Sequence, residues 1–176
     1  MKAQRSLKGR ALQWLAQREQ SRVELRRKLM QHAVAEAEAA AEAAAEMASE
    51  PRAVELSAAA RVDEVLDWLE AHDYLSQERF VESRVHARSA RFGNLRIRQE
   101  LKQHHVALTA EAAQALKDSE LARARAVLGR KFASPPSTQA ERARQARFLA
   151  GRGFSSEVIG RALRHDGAGQ HATFDG

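Results

Sequence analysis

A chain of 176 residues that is 44% apolar, largely through Ala and Leu, with 5% aromatics, 3 Pro and 9 Gly, has little of the vocabulary of strands and tight turns; it predicts an all-α protein. No cysteine is present, which excludes disulfides and thiolate metal sites, and the opening MKAQRSLKGR lacks the apolar run of a signal peptide or membrane anchor, so a cytoplasmic protein without membrane association is expected. The net charge of +6 is unevenly spread, with 9 Lys/Arg against 2 Asp/Glu in residues 1–32, 2 against 12 in residues 33–78, and 18 against 9 in residues 79–176, and two basic blocks around an acidic one point to an anionic partner.

Leu7, Ala11, Trp14 and Leu15 recur at helical spacing and predict a first short helix. Ser21 with Glu24 three residues on is a capping box: the hydroxyl accepts from orphan amides while the carboxylate reaches back, so a second helix starts at residue 22 and carries Val23, Leu25, Leu29 and Met30. The stretch that follows is nearly all Ala and Glu up to Pro51 and shows no apolar stripe that demands burial. It reads as an insertion over about residues 34–60, either a solvated extension of the second helix or a frayed segment, with order resuming at Val62 and a core stripe of Val65, Leu66 and Leu69 leading to Tyr74-Leu75.

The pattern then restarts. Ser76 caps a helix with Phe80, Val81 and Val85 on its apolar face, and Phe92-Gly93 ends it. Arg22-Val-Glu-Leu25-Arg26-Arg-Lys-Leu29-Met-Gln31-His32 is echoed by Asn94-Leu-Arg-Ile97-Arg98-Gln-Glu-Leu101-Lys-Gln103-His104 at constant offset, the mark of an internal repeat, and Thr109 caps a closing helix through Leu116. A third pass takes Leu121, Val127, Leu128 and Phe132, breaks at Ser134-Pro135-Pro136, restarts at the Thr138/Glu141 capping box, turns at Gly151-Arg-Gly153-Phe154 and closes through Val158, Ile159 and Leu163. The expected architecture is an elongated array of three tandem three-helix repeats, residues 1–75, 76–118 and 119–165, with residues 166–176 as a disordered tail.

Ala11-Leu-Gln-Trp-Leu15, Ser21-Arg-Val-Glu24-Leu25-Arg-Arg-Lys28-Leu29, Val65-Leu66 with Leu69 and Tyr74-Leu75, Arg79-Phe80, Gly93 with Ile97-Arg98-Gln-Glu100-Leu101, and Arg142 to Phe148-Leu149 with Arg152-Gly153-Phe154-Ser155 form an ordered set. Through that set the chain resembles the RecX family from end to end. Two departures stand out. The family usually ends the middle helices of its first two units with Gly or a similar residue, where this chain has Gln31-His32-Ala33 and His104-His105-Val106, so less sharp helix ends are expected; the Ala/Glu insertion is atypical.

Catalytic and metal chemistry find little support. His104-His105 and His86 are the best histidine candidates, but adjacent histidines on a helix point about 100° apart and do not readily share one ion. Paired carboxylates fall mainly in the Ala/Glu stretch, and no nucleophile triad, phosphate loop or zinc motif is present, so neither an enzyme nor a bound cofactor is expected. The basic stripes are the candidate contacts: Arg84, Arg88 and Arg91 on one face of the fourth helix, Arg96, Arg98 and Lys102 on the next, and Arg142, Arg144, Arg147 and Arg152 on the eighth. Such arginines also serve solubility alone; the functional reading is contact with an acidic protein surface or DNA phosphate.

The resemblance implies a non-catalytic monomer that lies in the groove of a RecA filament on single-stranded DNA, holds down ATP turnover, strand exchange and co-protease activity, and so acts in DNA repair and the SOS response. Weak direct DNA binding is compatible with this, and a sequence-independent helical DNA-binding protein is the alternative. Two further expectations follow: deleting residues 36–58 leaves the fold intact, and reversing Arg84, Arg88 and Arg91 to Glu affects binding alone.

Overall fold

The computed structural model describes residues 5–43 and 51–164. Among them lie nine helices and no strand: α1 (Leu7–Leu15), α2 (Arg22–Ala43), α3 (Pro51–Ala71), α4 (Gln77–Ser89), α5 (Asn94–Gln103), α6 (Ala110–Asp118), α7 (Glu120–Lys131), α8 (Gln139–Ala150) and α9 (Ser156–Ala162). They form three consecutive triplets, as the repeat predicts. The expected tail falls outside the described residues.

The helix starts follow side-chain chemistry. The Glu24 amide donates to Ser21 Oγ at 3.1 Å, Arg79 to Ser76 at 3.3 Å, Ala112 to Thr109 at 3.2 Å and Val158 to Ser155 at 3.4 Å. Thr138 and Glu141 complete a reciprocal capping box at α8. Each bond satisfies an orphan amide of a first turn.

Packing gathers the described residues into two compact units, one up to Ser83 together with Gln103–Val106, the other Arg84–Lys102 with the residues from Ala107 on. In the first, α2 contributes Leu25, Leu29 and Ala33 to the core and α3 contributes Ala58, Val62, Leu66 and Leu69, all fully buried, with Leu7 and Ala11 of α1 closing the cluster. In the second, Ala124, Val127 and Leu128 of α7 meet Leu149, Phe154, Val158 and Leu163.

The Ala/Glu stretch differs from its expectation. Order returns at Pro51 rather than Val62, because proline at the first helical position lacks only an amide that would be orphaned anyway. The core stripe runs through Ala33, just before the supposed insertion, and enters it at Ala58, at the spacings 25, 29, 33 and 58, 62, 66, 69, and Arg61 Nη2 donates to Glu36 at 3.0 Å. Small side chains let two helices approach closely without the bulky stripe that signals burial in a sequence.

The helix ends differ as well. α2 runs past His32 to Ala43, whereas α5 stops at Gln103 with His105 in the left-handed region at φ 57°, the conformation a glycine most often supplies at a helix end. His104, set aside as a ligand, is a packing residue: its Nδ1 lies 2.8 Å from Ser21 Oγ and its ring 5.0 Å from that of Phe80.

Candidate protein-interaction surface

The basic residues divide by what already holds them. Glu100 on α5 sits between two arginines of α4, with Arg84 Nη1 at 3.3 Å and Arg88 Nε at 2.9 Å. The Arg84 and Glu100 side chains are each only 20% exposed, so this group is a partly sheltered link between α4 and α5. Phe92 lies between the guanidinium groups of Arg88 at 5.8 Å and Arg96 at 4.6 Å. Arg91 does not share the α4 face expected for it: α4 ends at Ser89, and Arg91 stands exposed in the turn beyond, with no ion pair or side-chain hydrogen bond among the described residues.

On α5 the opposite condition holds at Arg98 and Lys102. Both are exposed and neither has a partner among the described residues. Leu95, which the sequence reading passed over, shares their face and is 60% exposed. Its signal was available in the spacing 95, 98, 102.

On α8, Arg142 donates to the Leu163 carbonyl at 3.2 Å and so serves the end of α9. Arg144 lies 5.4 Å from the Phe132 ring, while Arg152, in the turn past the end of α8 rather than on the helix as expected, lies 3.9 Å from that of Phe148, and the two rings meet edge to face at 5.2 Å. Arg147 is exposed and has no partner among the described residues.

A buried polar knot, also missed, fixes these helices. Glu120, 4% exposed, accepts from the Asn94 amide at 2.9 Å and from Ser155 Oγ at 3.4 Å. Arg123 donates to the carbonyls of Phe92 at 2.7 Å, Ser89 at 3.3 Å and Leu116 at 3.0 Å. Burial pulls the Arg123 guanidinium below its ordinary pKa, opposed by the charge of Glu120. No apolar periodicity marks such residues, since they flank the stripe of α7 rather than lie on it.

Among the described residues no three His, Cys, Asp or Glu side chains are placed to share a metal ion, and no helix is long and apolar enough to cross a membrane. What remains around α4, α5 and α8 is a set of free cations beside the exposed Leu95.

Comparison with known proteins decides the family. The second RecX three-helix domain matches residues 76–115 and the third matches residues 118–163. The regulatory protein RecX of Ralstonia nicotianae is 44% identical over 161 residues, 90% of this chain and 87% of the relative. The chain belongs to the RecX family. The RecX of Leptothrix cholodnii is 45% identical over 163 residues, covering 92% of this chain and 89% of its own, and that of Neisseria meningitidis serogroup A is 33% identical over 168 residues, covering 94% of each. All three are named regulatory proteins, and the matched RecX domains contain every basic residue singled out above.

Proposed function

We propose that this chain is a non-catalytic regulator that binds the RecA filament on single-stranded DNA and lowers its ATPase, strand-exchange and co-protease activity. The observation that carries the reading is membership of a family of regulatory proteins, joined to a set of cations, Arg91, Arg98, Lys102 and Arg147, that nothing in the described fold engages. Free guanidinium and ammonium groups on helices, or in the turn that ends one, are ready to meet an acidic surface without first breaking an internal pair. Arg84 and Arg88, shared with Glu100, and Arg142, on the end of α9, are better read as supports of that surface.

The test compares bare single-stranded DNA with the same DNA coated by RecA, titrated with the full chain at moderate salt, alongside RecA's DNA-dependent ATPase. Tighter binding to the coated strand and falling ATP turnover are expected. Preference for bare DNA would overturn the reading in favour of a sequence-independent DNA-binding protein.

A further inference from the structure

The internal repeat supplies a template for what the free face of α5 binds. At the constant offset between the two middle helices, Val23 corresponds to Leu95, Arg26 to Arg98, Arg27 to Gln99 and Met30 to Lys102. Val23 and Leu95 are both among the large apolar residues left exposed, at 37% and 60%. The two positions are thus alike in chemistry and place.

In α2 the chain itself meets that face at Arg26 and Met30, while Val23 and Arg27 stay exposed and the neighbouring Arg22, equivalent to the buried Asn94, adds to the contact. Arg26 holds Asp63 of α3 through two bonds, Nε at 2.8 Å and Nη2 at 3.0 Å, while Arg22 reaches Asp67 at 2.7 Å and Glu70 at 2.6 Å. Asp63, Asp67 and Glu70 stand at i, i+4 and i+7, one acidic edge of one helix. Met30 packs against the same core that α3 helps to build.

In α5 the corresponding face has no such occupant. Leu95, Arg98, Gln99 and Lys102 fall at i, i+3, i+4 and i+7 and are all exposed, while Ile97 and Leu101 behind them are buried. The closing helix α6 is only 9 residues long against 21 for α3, and no described carboxylate pairs with Arg98 or Lys102. The helix keeps the binding half of the arrangement and lacks the acidic half.

We infer that the Leu95, Arg98, Gln99, Lys102 face of α5 docks an acidic helix of the partner protein, one that presents carboxylates a turn apart beside an apolar seat for Leu95. The inference rests on the RecA-filament reading and names the contact within it. Protein is favoured over DNA because Arg26, the equivalent of Arg98, pairs with a carboxylate on the acidic edge of a helix, and because an exposed leucine gains most where an apolar pocket excludes water.

A photoreactive benzoylphenylalanine at position 95 of the full chain, irradiated on RecA-coated DNA, is expected to give an adduct with a RecA helix carrying Asp or Glu at i and i+4. The triple variant Leu95→Ser, Arg98→Glu, Lys102→Glu, and Leu95→Ser alone, should keep the parent melting temperature. The triple variant should need at least about tenfold more protein for half-inhibition of the ATPase. An adduct with DNA alone, no adduct on an inhibited filament, or unchanged inhibition by the triple variant would each sink the docking face while leaving the RecA reading standing. A parent chain that neither binds nor inhibits the filament removes both.

Discussion

Gly93 and Gly153 lock the turn before α5 to the turn before α9: a Cβ on Gly93 would stand 2.3 Å from the Gly153 carbonyl oxygen. The Gly93 amide donates to the Arg152 carbonyl at 2.9 Å, and the Leu95 amide to the Gly153 carbonyl at 3.0 Å. Gly153 itself has φ +79°, and a Cβ there would meet that of Arg96 at 2.6 Å. Two backbones approach so closely here that neither position admits a side chain.

Gly93→Ala should therefore destabilise the protein by about 2–3 kcal/mol, because the obstacle is backbone and cannot rotate away. Thermal unfolding should show a fall in Tm of about 5–10 °C. Gly129→Ala, on an exposed helical position with nothing within 4 Å, is the control and should be neutral or slightly stabilising. Equal melting of parent and Gly93→Ala would show that the two turns part without cost.

Replacing Arg84, Arg88 and Arg91 together with Glu should weaken the fold, contrary to the expectation from the sequence that only binding would respond. Arg84 and Arg88 flank the partly sheltered Glu100, and reversal would place three carboxylates together. A loss of about 1–3 kcal/mol is expected, read as a lower urea midpoint, whereas Arg91→Glu alone should leave the midpoint unchanged. An unaltered midpoint for the triple variant would return these arginines to the list of free contacts.

How far the sequence could be read depended on the kind of signal each residue leaves. The capping residues Ser21, Ser76, Thr109 and Thr138 and the stripes of Leu, Val and Phe follow local rules, so the helices and their order were legible. Ala33 and Ala58 were not, since alanine reads alike on a buried and a solvated face. His105 was unreadable because its left-handed turn is imposed from outside, at a cost of about 1–2 kcal/mol that the packing of His104 on Ser21 and Phe80 offsets. Of the candidate contacts, the sequence showed where the cations lie but not which were taken, since Glu100 claims two of them through a fold-level contact, whereas the exposed Leu95 could have been read from its spacing with Arg98 and Lys102.

Acid should loosen the α2/α3 pair through Asp63. The hydrogen bonds from Arg26 hold the Asp63 carboxyl below its ordinary value of 3.8, with burial opposing and the charges of Arg26 and Arg22 assisting. A carboxyl whose folded pKa is depressed adds stability that is fully present above the unfolded pKa and is lost as pH falls through the folded one. Asp63→Asn should thus unfold at lower urea than the parent at about pH 6, and the gap should narrow as pH falls below about 4 and through the depressed folded value. A gap that stays constant over that range would mean that the Arg26 pair does not carry the linkage.

The last prediction concerns the Ala/Glu stretch, whose removal the sequence suggested would be silent. Ala58 is fully buried beside Ala33, Val62 and Leu66, so deleting residues 36–58 takes a core residue of α3 and strips Arg61 of Glu36. The deletion should lower stability rather than leave it intact, but a deletion also shortens the connection, so point variants separate packing from length. Ala58→Asp would place a carboxylate among apolar side chains with no partner and should cost about 3–5 kcal/mol, or unfold the α2/α3 pair outright. Glu38→Ala, on the exposed side of α2, should change stability by no more than about 0.5 kcal/mol. Circular dichroism at 222 nm during urea titration reads both, since the two helices are among the longest in the chain at 22 and 21 residues. If Ala58→Asp melted with the parent, the stretch would be a solvated rod after all, and the core of the first unit would begin at Val62.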